Sequence, residues 1–184
     1  MLISSTKPTR RALLAVAALV PLVAPMAAAA DDDATPLMDK VHNATERYVD
    51  INVAFSEGWV TATPCVSGPD TGAMGVHLVL KSRLTSLVLN PAQPTALIYE
   101  PMTNGAMRLV GVEFIVLESV WLSSNPPAGA TPALDGNLMN YIAAPNRYGL
   151  PSFYEMHVWA WEHNPKGSYA DWNTHVTCAH QPLG

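Results

Sequence analysis

Four short apolar runs constrain the fold of this 184-residue chain more than any other feature. Each run is rich in β-branched or aromatic residues, and glycine, proline or asparagine separates one run from the next. Runs of this length and composition are typical of β-strands. We therefore predict strands at residues 75–80, 95–100, 108–116 and 153–161.

The segments between these runs carry turn signals of different strength. Asn104-Gly105 lies between the second and third predicted strands, and this dipeptide is the strongest short-range signal for a β-hairpin. Residues 164–167 (Asn-Pro-Lys-Gly) also have turn chemistry. Residues 123–150 are rich in proline, glycine, asparagine and alanine, which predicts a long surface excursion and a candidate lid.

Ahead of the first strand, apolar residues recur at steps of three and four across residues 35–57. This spacing places them on one face of an amphipathic helix, which Gly58 ends. The face consists of Met38, Val41, Ala44, Tyr48, Ile51 and Phe55. A helix with one apolar face packs it against another element. The predicted fold class is therefore α+β, an N-terminal amphipathic helix packed on a curved, mainly antiparallel β-sheet or small barrel.

The first thirty residues have the pattern of a signal peptide. Lys7, Arg10 and Arg11 precede the apolar run 12–20, and the alanines at 28–30 form a small-residue cleavage site. We predict a signal peptide at residues 1–30, a single globular domain at residues 31–184, and a periplasmic or secreted location.

The export route remains open. Arg10-Arg11 also resembles the twin-arginine signal of proteins that are exported in the folded state, so this route and the general secretory route are both compatible with the leader.

Charge and hydropathy narrow the range of partners. Removal of the leader takes three positive charges from a formal net charge of −5, which leaves about −8 on the mature chain. No basic patch that could follow a phosphate backbone remains, so the sequence argues against a nucleic-acid partner. No second apolar segment of membrane-spanning length follows the leader, and we expect no membrane association after its removal.

Cys65 and Cys178 are the two cysteines of the chain. In an oxidising compartment a single pair most often forms a disulfide, which over a loop this long contributes roughly 4–5 kcal/mol in the chain-entropy model. Two free thiols acting as ligands or nucleophiles are the alternative, and that role needs a reducing compartment or a neighbouring base.

Ionisable residues stand isolated inside three of the predicted strands. Side chains alternate between the two faces of a strand, and His77, Glu113 and His157 each have apolar neighbours along the chain. If the three face one another, two imidazoles and one carboxylate form a candidate metal site for a zinc, iron or copper ion.

The last predicted strand adds a possible pocket wall to this site. Alternation places Glu155, Trp159 and Trp161 on the same face as His157, where they would line a ligand pocket. The protein is then a small metal-binding domain whose partner is a metal ion or a small molecule.

Three other interpretations remain open. The histidines and the glutamate can form a polar cluster that satisfies its own hydrogen bonds without a metal. The domain can bind a small apolar or aromatic ligand without catalysis, or it can be a structural or interaction protein. The sequence leaves open whether the protein is an enzyme.

Several sequence blocks resemble an uncharacterised family of exported bacterial proteins. The blocks lie at residues 65–69, 72–77, 109–114, 154–161 and 164–178 and contain the strings GAMGVH, LVGVEF and HVWAW. They cover nearly all of the mature chain, with Met156 and Thr174 standing where the family has leucine and proline.

The resemblance implies no activity. Its pattern passes through six of the candidate residues, which ranks these above the three histidines near the C-terminus. The six are His77, Glu113, Glu155, His157, Cys65 and Cys178, and the lower-ranked histidines are His163, His175 and His180.

Overall fold

The structure is a computed structural model that describes residues 35–68 and 70–181. The predicted signal peptide and its cleavage site lie outside the described residues. The helical elements are α1 (Pro36–Thr45), a 3-10 segment (Glu46–Val49), α2 (Ile51–Ser56), α3 (Lys81–Leu84) and α4 (Glu118–Leu122). The strands are β1 (Val60–Thr61), β2 (Val66–Gly68), β3 (Gly72–Val79), β4 (Ala96–Pro101), β5 (Met107–Leu117), β6 (Ala133–Leu134), β7 (Asn137–Leu138), β8 (Asn140–Ile142) and β9 (Phe153–Val158).

The main sheet has seven strands and is antiparallel at every pairing. Its order is β1-β3-β4-β5-β9-β8, β2 pairs with the first half of β3, and β6 and β7 form a separate hairpin. The predicted α+β class with a mainly antiparallel sheet is confirmed. Within the described residues the two ends of the order, β1 and β8, do not pair with each other, so the barrel alternative lacks its closing strand pair.

The predicted hairpin at Asn104-Gly105 joins β4 to β5. The Met102 amide donates to the Ala106 carbonyl at 2.8 Å, and the Ala106 amide donates to the Asn104 side chain at 3.0 Å. Gly105 has φ +78°, a backbone conformation that glycine adopts without a steric penalty. The turn prediction is confirmed.

The fourth predicted strand is shorter than expected. β9 ends at Val158 because the Trp159 amide donates to Ser168 and the Trp161 amide returns to the Val110 carbonyl, at 3.0 and 3.3 Å. The chain therefore leaves the strand direction two residues before Trp161. The alternation that the sequence suggested stops at the same point.

The single helix predicted across residues 35–57 is three consecutive helical segments. Asp50 has extended backbone angles, and its side chain accepts a hydrogen bond from the Asn52 amide as the N-cap of α2. Because of this break, α2 does not continue the apolar face that was predicted for one long helix. Val41 and Tyr48 are buried as expected, whereas Phe55 is 48% exposed.

The main apolar core lies between these helical segments and one face of the sheet. The Tyr99 hydroxyl in β4 donates to the Tyr48 carbonyl at 2.7 Å and joins the two layers. Buried members of this core include Leu37, Val41, Ala54, Trp59, Val76, Leu78, Leu97, Val112, Phe114, Met156 and Val158. No helix in the described part of the chain has the length and hydropathy of a membrane-spanning segment.

Part of the C-terminal segment, residues 159–181, packs against the opposite face of the sheet. Trp159 and Val176 form a second apolar cluster with Ala73, Ile98 and Val110. Asn173 pairs its backbone with that of Ala73 through bonds of 3.0 and 3.1 Å. This segment has little regular secondary structure, so side chains and single hydrogen bonds hold it in place.

A disulfide joins Cys65 to Cys178, with 5.6 Å between their Cα atoms, and confirms the predicted pairing. It closes a loop of 113 residues. The bond attaches the end of the C-terminal segment to the strand β2 region, and disulfides of this kind persist in oxidising compartments.

Residues 123–150 contain more structure than the predicted surface excursion. β8 adds an edge strand to the sheet beside β9, and Leu134 and Met139 are buried. The predicted surface excursion therefore includes an edge strand, and a strand of only three residues is stabilised by its partner and carries little signal of its own in the sequence.

Candidate metal centre

Three ionisable side chains of the sheet face away from the helices. His77 lies on β3 between Val76 and Leu78, which both pack in the main core, so the pleat turns the imidazole to the opposite face. Glu113 and His157 are direct cross-strand partners on β5 and β9. All three are buried, at 4%, 6% and 1% exposure.

The strand β4 separates His77 from Glu113, yet their side chains meet above it. Strands two positions apart are about 10 Å from each other. His77 pairs with Ile98 and Glu113 pairs with Ala96, so the short alanine side chain leaves room for both longer ones. The His77 Nε2 atom comes within 3.5 Å of Glu113 Oε2.

The imidazole of His157 completes the group. The ring centroids of His77 and His157 are 5.8 Å apart, with their planes near perpendicular at 88°. One ligand atom from each of the three residues lies within 4.8 Å of the other two. Metal bonds of about 2.0–2.2 Å place two ligands of a tetrahedral ion roughly 3.5 Å apart, so small side-chain rotations would close the set around an ion.

The two nitrogens of His157 have different environments. Nδ1 lies 2.9 Å from Glu155 Oε2, while Nε2 is buried and has no hydrogen-bond partner among the described residues. Among the described residues, one other buried side-chain nitrogen or oxygen atom lacks a hydrogen-bond partner. It is the indole nitrogen of Trp59, in the main core. A carboxylate on one imidazole nitrogen, with the other nitrogen left to the ion, is the usual arrangement of a metal-ligating histidine.

Glu155 is itself supported from the surface side. The Asn140 side-chain amide donates to Glu155 Oε1 and to Asp171 Oδ1, at 3.3 Å each. Burial disfavours the charge of Glu155, but the hydrogen bond and positive charge of His157 outweigh it and hold the Glu155 pKa below its ordinary value. Glu155, His157 and Asp171 form a second group of converging ligand atoms, which shares His157 with the first.

The protonation of the group follows from its burial. Burial, together with the neighbouring His157, lowers the pKa of His77 to about 3, so this imidazole is neutral and has a free lone pair. Burial raises the pKa of Glu113 to about 8. Burial also opposes the charge on His157, but the carboxylates of Glu113 and Glu155 outweigh it and raise the His157 pKa to about 9. Without an ion, protons supply the positive charge that this cluster requires.

An apolar cavity of about 420 Å³ opens onto His77 and Glu113. Most of its wall is aliphatic or aromatic, and its polar wall residues are Thr61, Thr63, Lys81 and Tyr148. The Thr63 hydroxyl lies 3.3 Å from His77 Nδ1, which leaves His77 Nε2 toward Glu113. The apolar wall residues are Val60, Ala62, Val79, Leu84, Ile115, Leu150 and Phe153.

The segment that was predicted as an excursion supplies part of this wall. Tyr148 packs its ring 5.9 Å from Phe153, and its hydroxyl donates to the Met74 sulfur at 3.3 Å. Burial, reinforced by the charge of Glu113, raises the Tyr148 pKa to about 12, so the phenol stays protonated. Sequence reasoning missed Tyr148 because a tyrosine in a polar loop has no periodic pattern to mark it.

Trp159 and Glu155 lie beside His157, as the alternation predicted, but they do not line the cavity. Trp159 is 1% exposed and lies behind the cluster, with its ring stacked 6.0 Å from that of His157 and its indole donating to the Ala170 carbonyl at 2.6 Å. Gly111 makes this packing possible, since a Cβ there would come within 3.2 Å of the Trp159 ring. Glu155 likewise supports His157 and does not line the cavity.

Trp161 lies on the helix side of the molecule. Its indole donates to the Thr45 hydroxyl at 2.9 Å, and its ring stacks on His42 with centroids 3.8 Å apart. The interpretation of Trp161 as a wall shared with His157 is wrong, because the strand ends at Val158 and the side chain crosses to the other face.

The C-terminal histidines occupy a separate region. The rings of His163 and His175 are 5.5 Å apart, and His175 Nδ1 lies 3.6 Å from Glu162 Oε1. Arg108 joins Glu162 to the buried Glu100, whose carboxylate accepts from the Thr177 amide at 2.9 Å. These contacts attach the C-terminal segment to the end of the β4–β5 hairpin.

No protein-family model, no curated protein and no solved structure matches this chain. Its function is therefore inferred from the geometry of the site.

Proposed function

We propose that this protein is an exported metal-binding domain in which His77, Glu113 and His157 hold one transition-metal ion at the inner end of an apolar pocket. The observation that carries the proposal is the buried, unpartnered Nε2 atom of His157 beside a neutral imidazole and a carboxylate. An ion bound by these three groups would have its open side toward the cavity, since His77 and Glu113 line that cavity and His157 lies behind them.

A self-satisfied polar cluster is the main competing explanation. Both nitrogens of His77 and the Nδ1 of His157 have partners, at 3.3, 3.5 and 2.9 Å. That explanation leaves His157 Nε2 without a partner, at a cost of about 1–3 kcal/mol for a buried polar group. A bound ion removes this cost and also replaces the protons that burial places on Glu113 and that the neighbouring carboxylates place on His157.

The ligand types restrict the ion to a few candidates. Two imidazoles and one carboxylate with a free coordination position are typical of catalytic zinc and of non-haem iron, and copper also accepts imidazole ligands. An ion in this position would polarise an oxygen atom of a bound molecule or hold a water molecule. This set of ligand residues is compatible with a catalytic metal ion and with a metal ion that is only bound.

A second candidate function is metal-free binding of a small molecule. The cavity of about 420 Å³ falls in the size range of ligand pockets and has their mixture of an apolar wall with few polar groups. In that case His77 and Glu113 would orient the ligand by hydrogen bonds.

Export is supported by two independent features. The Cys65–Cys178 disulfide is typical of oxidising compartments, and the pattern of residues 1–30 is that of a signal peptide. The resemblance to exported bacterial proteins agrees with both. We therefore propose a location in the periplasm or outside the cell.

The deciding experiment measures metal content. Untagged protein is purified from the exported fraction and analysed by inductively coupled plasma mass spectrometry, before and after reconstitution with zinc, iron(II) or copper. We expect near-stoichiometric metal in the wild type and its loss in a His77→Ala/His157→Ala variant. A His163→Ala/His175→Ala variant is the matched control, because it removes two histidines outside the cluster and should retain the metal.

Circular dichroism and disulfide titration show whether each variant is folded. Folded wild-type protein that takes up none of the three ions would overturn the proposal. Equal metal loss in the control pair would do the same, because the ion would then be bound outside the cluster.

A further inference from the structure

We infer that the pocket takes a small organic acid with one carboxylate and an unbranched or aromatic apolar body, and that the carboxylate binds the ion at the inner end. This inference rests on the proposed metal site and deepens it. It follows from the size of the cavity, the position of the charged groups on its wall, and the side on which the ion would have a free coordination position.

The cavity fits the body of such a molecule. Its volume of about 420 Å³ equals that of roughly fourteen water molecules at ~30 Å³ each. Val79, Ile115 and Phe153 form an apolar surface that starts beside the two ligand residues. An aliphatic chain of seven or eight carbons, or one aromatic ring with a short linker, would bury its apolar surface here.

The charges along the cavity favour an anion. Glu113 is the one carboxylate among the described residues of the wall, whereas Glu155 and Asp171 lie on the Nδ1 side of His157, so the cavity side of a divalent ion would meet a single negative charge. Lys81 adds a further positive charge and is exposed at the outer end, four residues along the chain from the buried His77. A cationic ligand would be repelled at both ends, whereas a carboxylate finds a positive group at the inner end.

The remaining polar groups suit a carboxylate head. The Thr61 hydroxyl lies on the wall and can donate, and the Tyr148 hydroxyl, which donates to the Met74 sulfur at 3.3 Å, could turn toward a bound carboxylate. A carboxylate that ligates the ion has a second oxygen available for such a donor. A neutral amide or alcohol of the same length would lose both the charge attraction and this second contact.

The experiment compares octanoate with octanamide and acetate by isothermal titration calorimetry on zinc-loaded protein. We expect octanoate to bind about tenfold tighter than octanamide, and about a hundredfold or more tighter than acetate, which lacks the apolar body. Cobalt(II)-substituted protein gives a direct readout, since a carboxylate that ligates the ion changes the visible absorption of cobalt. Zinc-free protein should bind octanoate weakly.

A pair of tryptophan variants provides the structural control. Leu84→Trp introduces a large side chain into the cavity wall and should abolish octanoate binding while zinc is retained. Val88→Trp places the same side chain at a position that is 58% exposed and outside the cavity, and should leave binding unchanged.

The possible failures are distinguishable. Stoichiometric zinc with no octanoate binding, or with equal binding of octanamide, overturns the inference and leaves the metal site intact. Octanoate binding that persists without zinc and disappears in Lys81→Gln places the head at Lys81 and also overturns it. Failure to retain any metal removes the proposed function and this inference together.

Discussion

The two faces of the central sheet bury their side chains by different chemistry. The helix side is the main apolar core, and Phe114 is one of its buried members. The opposite side buries His77, Glu113, Glu155 and His157 at 6% exposure or less. Burial of apolar surface stabilises a fold directly, whereas burial of ionisable groups opposes it. The helix side therefore holds the larger apolar core, and the other side combines a smaller apolar cluster with the features of a functional site.

The two faces also differ in how they are covered. Regular helices cover the first, and an irregular C-terminal segment tied by Cys65–Cys178 covers the second. A cover with few ladder hydrogen bonds depends more on a covalent tie. The following predictions test this comparison, from the largest expected effect to the smallest.

Removal of the disulfide should loosen one face selectively. A Cys65→Ser/Cys178→Ser variant should lose roughly 4–5 kcal/mol of unfolding free energy, from the entropy of a loop of 113 residues. Denaturant unfolding measures this loss. Hydrogen exchange should accelerate in residues 159–181 more than in α1, and equal acceleration in both would contradict the idea of a separately held cover.

Phe114 and Glu113 are adjacent on β5, but Phe114 is buried in the apolar core and Glu113 in the polar cluster of the other face. Phe114→Ala should lower the unfolding free energy by about 3–5 kcal/mol, because it leaves a cavity in the apolar core. The folded fraction should still bind metal with wild-type stoichiometry. A loss of metal binding from this helix-side change would show that the faces are not independent.

Glu113→Gln tests the neighbouring position on the other face. Because the Glu113 pKa is raised to about 8 from an ordinary value of 4.5, the folded state favours the protonated acid. Its stabilising contribution is complete below the unfolded pKa and is lost as the pH rises through 4.5 toward 8. Ion-free wild type should therefore lose stability over this window, and the loss should be smaller in the glutamine variant, which has no acid to titrate at this position.

The measurement is the unfolding free energy at several pH values in the presence of a chelator. Glu113→Asp is the control, since it keeps a titratable group and should keep the pH dependence. Parallel pH profiles for the wild type and the glutamine variant would mean that Glu113 is not buried in the protein in solution.

Glu155→Gln should weaken metal binding without abolishing it. The carboxylate orients His157 through Nδ1, and loss of such a partner typically costs about 10–100-fold in metal affinity. Competition with a chromophoric chelator measures the dissociation constant. Unchanged affinity would assign Glu155 a role in stability alone.

Trp161→Phe should have the smallest effect. It removes the hydrogen bond to the Thr45 hydroxyl and should cost about 1 kcal/mol. Because Trp161 lies on the helix side, the affinities for metal and for octanoate should match those of the wild type. A change in either affinity would support the original interpretation of Trp161 as a residue of the pocket wall.

Local patterns in the sequence predicted much of this architecture. Alternation and turn chemistry located β3, β4, β5, β9 and the Asn104-Gly105 hairpin, because strand and turn preferences depend on neighbours along the chain. The disulfide followed from the count of cysteines in a chain that begins with the pattern of a signal peptide. Alternation also placed His77, Glu113 and His157 on strand faces away from their apolar neighbours.

Tertiary contacts decided the rest. The register that puts Glu113 opposite His157, the end of β9 at Val158 and the addition of β8 all depend on pairing between distant segments. The cavity depends on Tyr148 and Leu150, which come from a loop without a recognisable pattern. The sequence alone thus located the four longest strands and the ionisable residues within them. Only the folded chain decided which side chains share a pocket, because that depends on long-range packing and not on local preference.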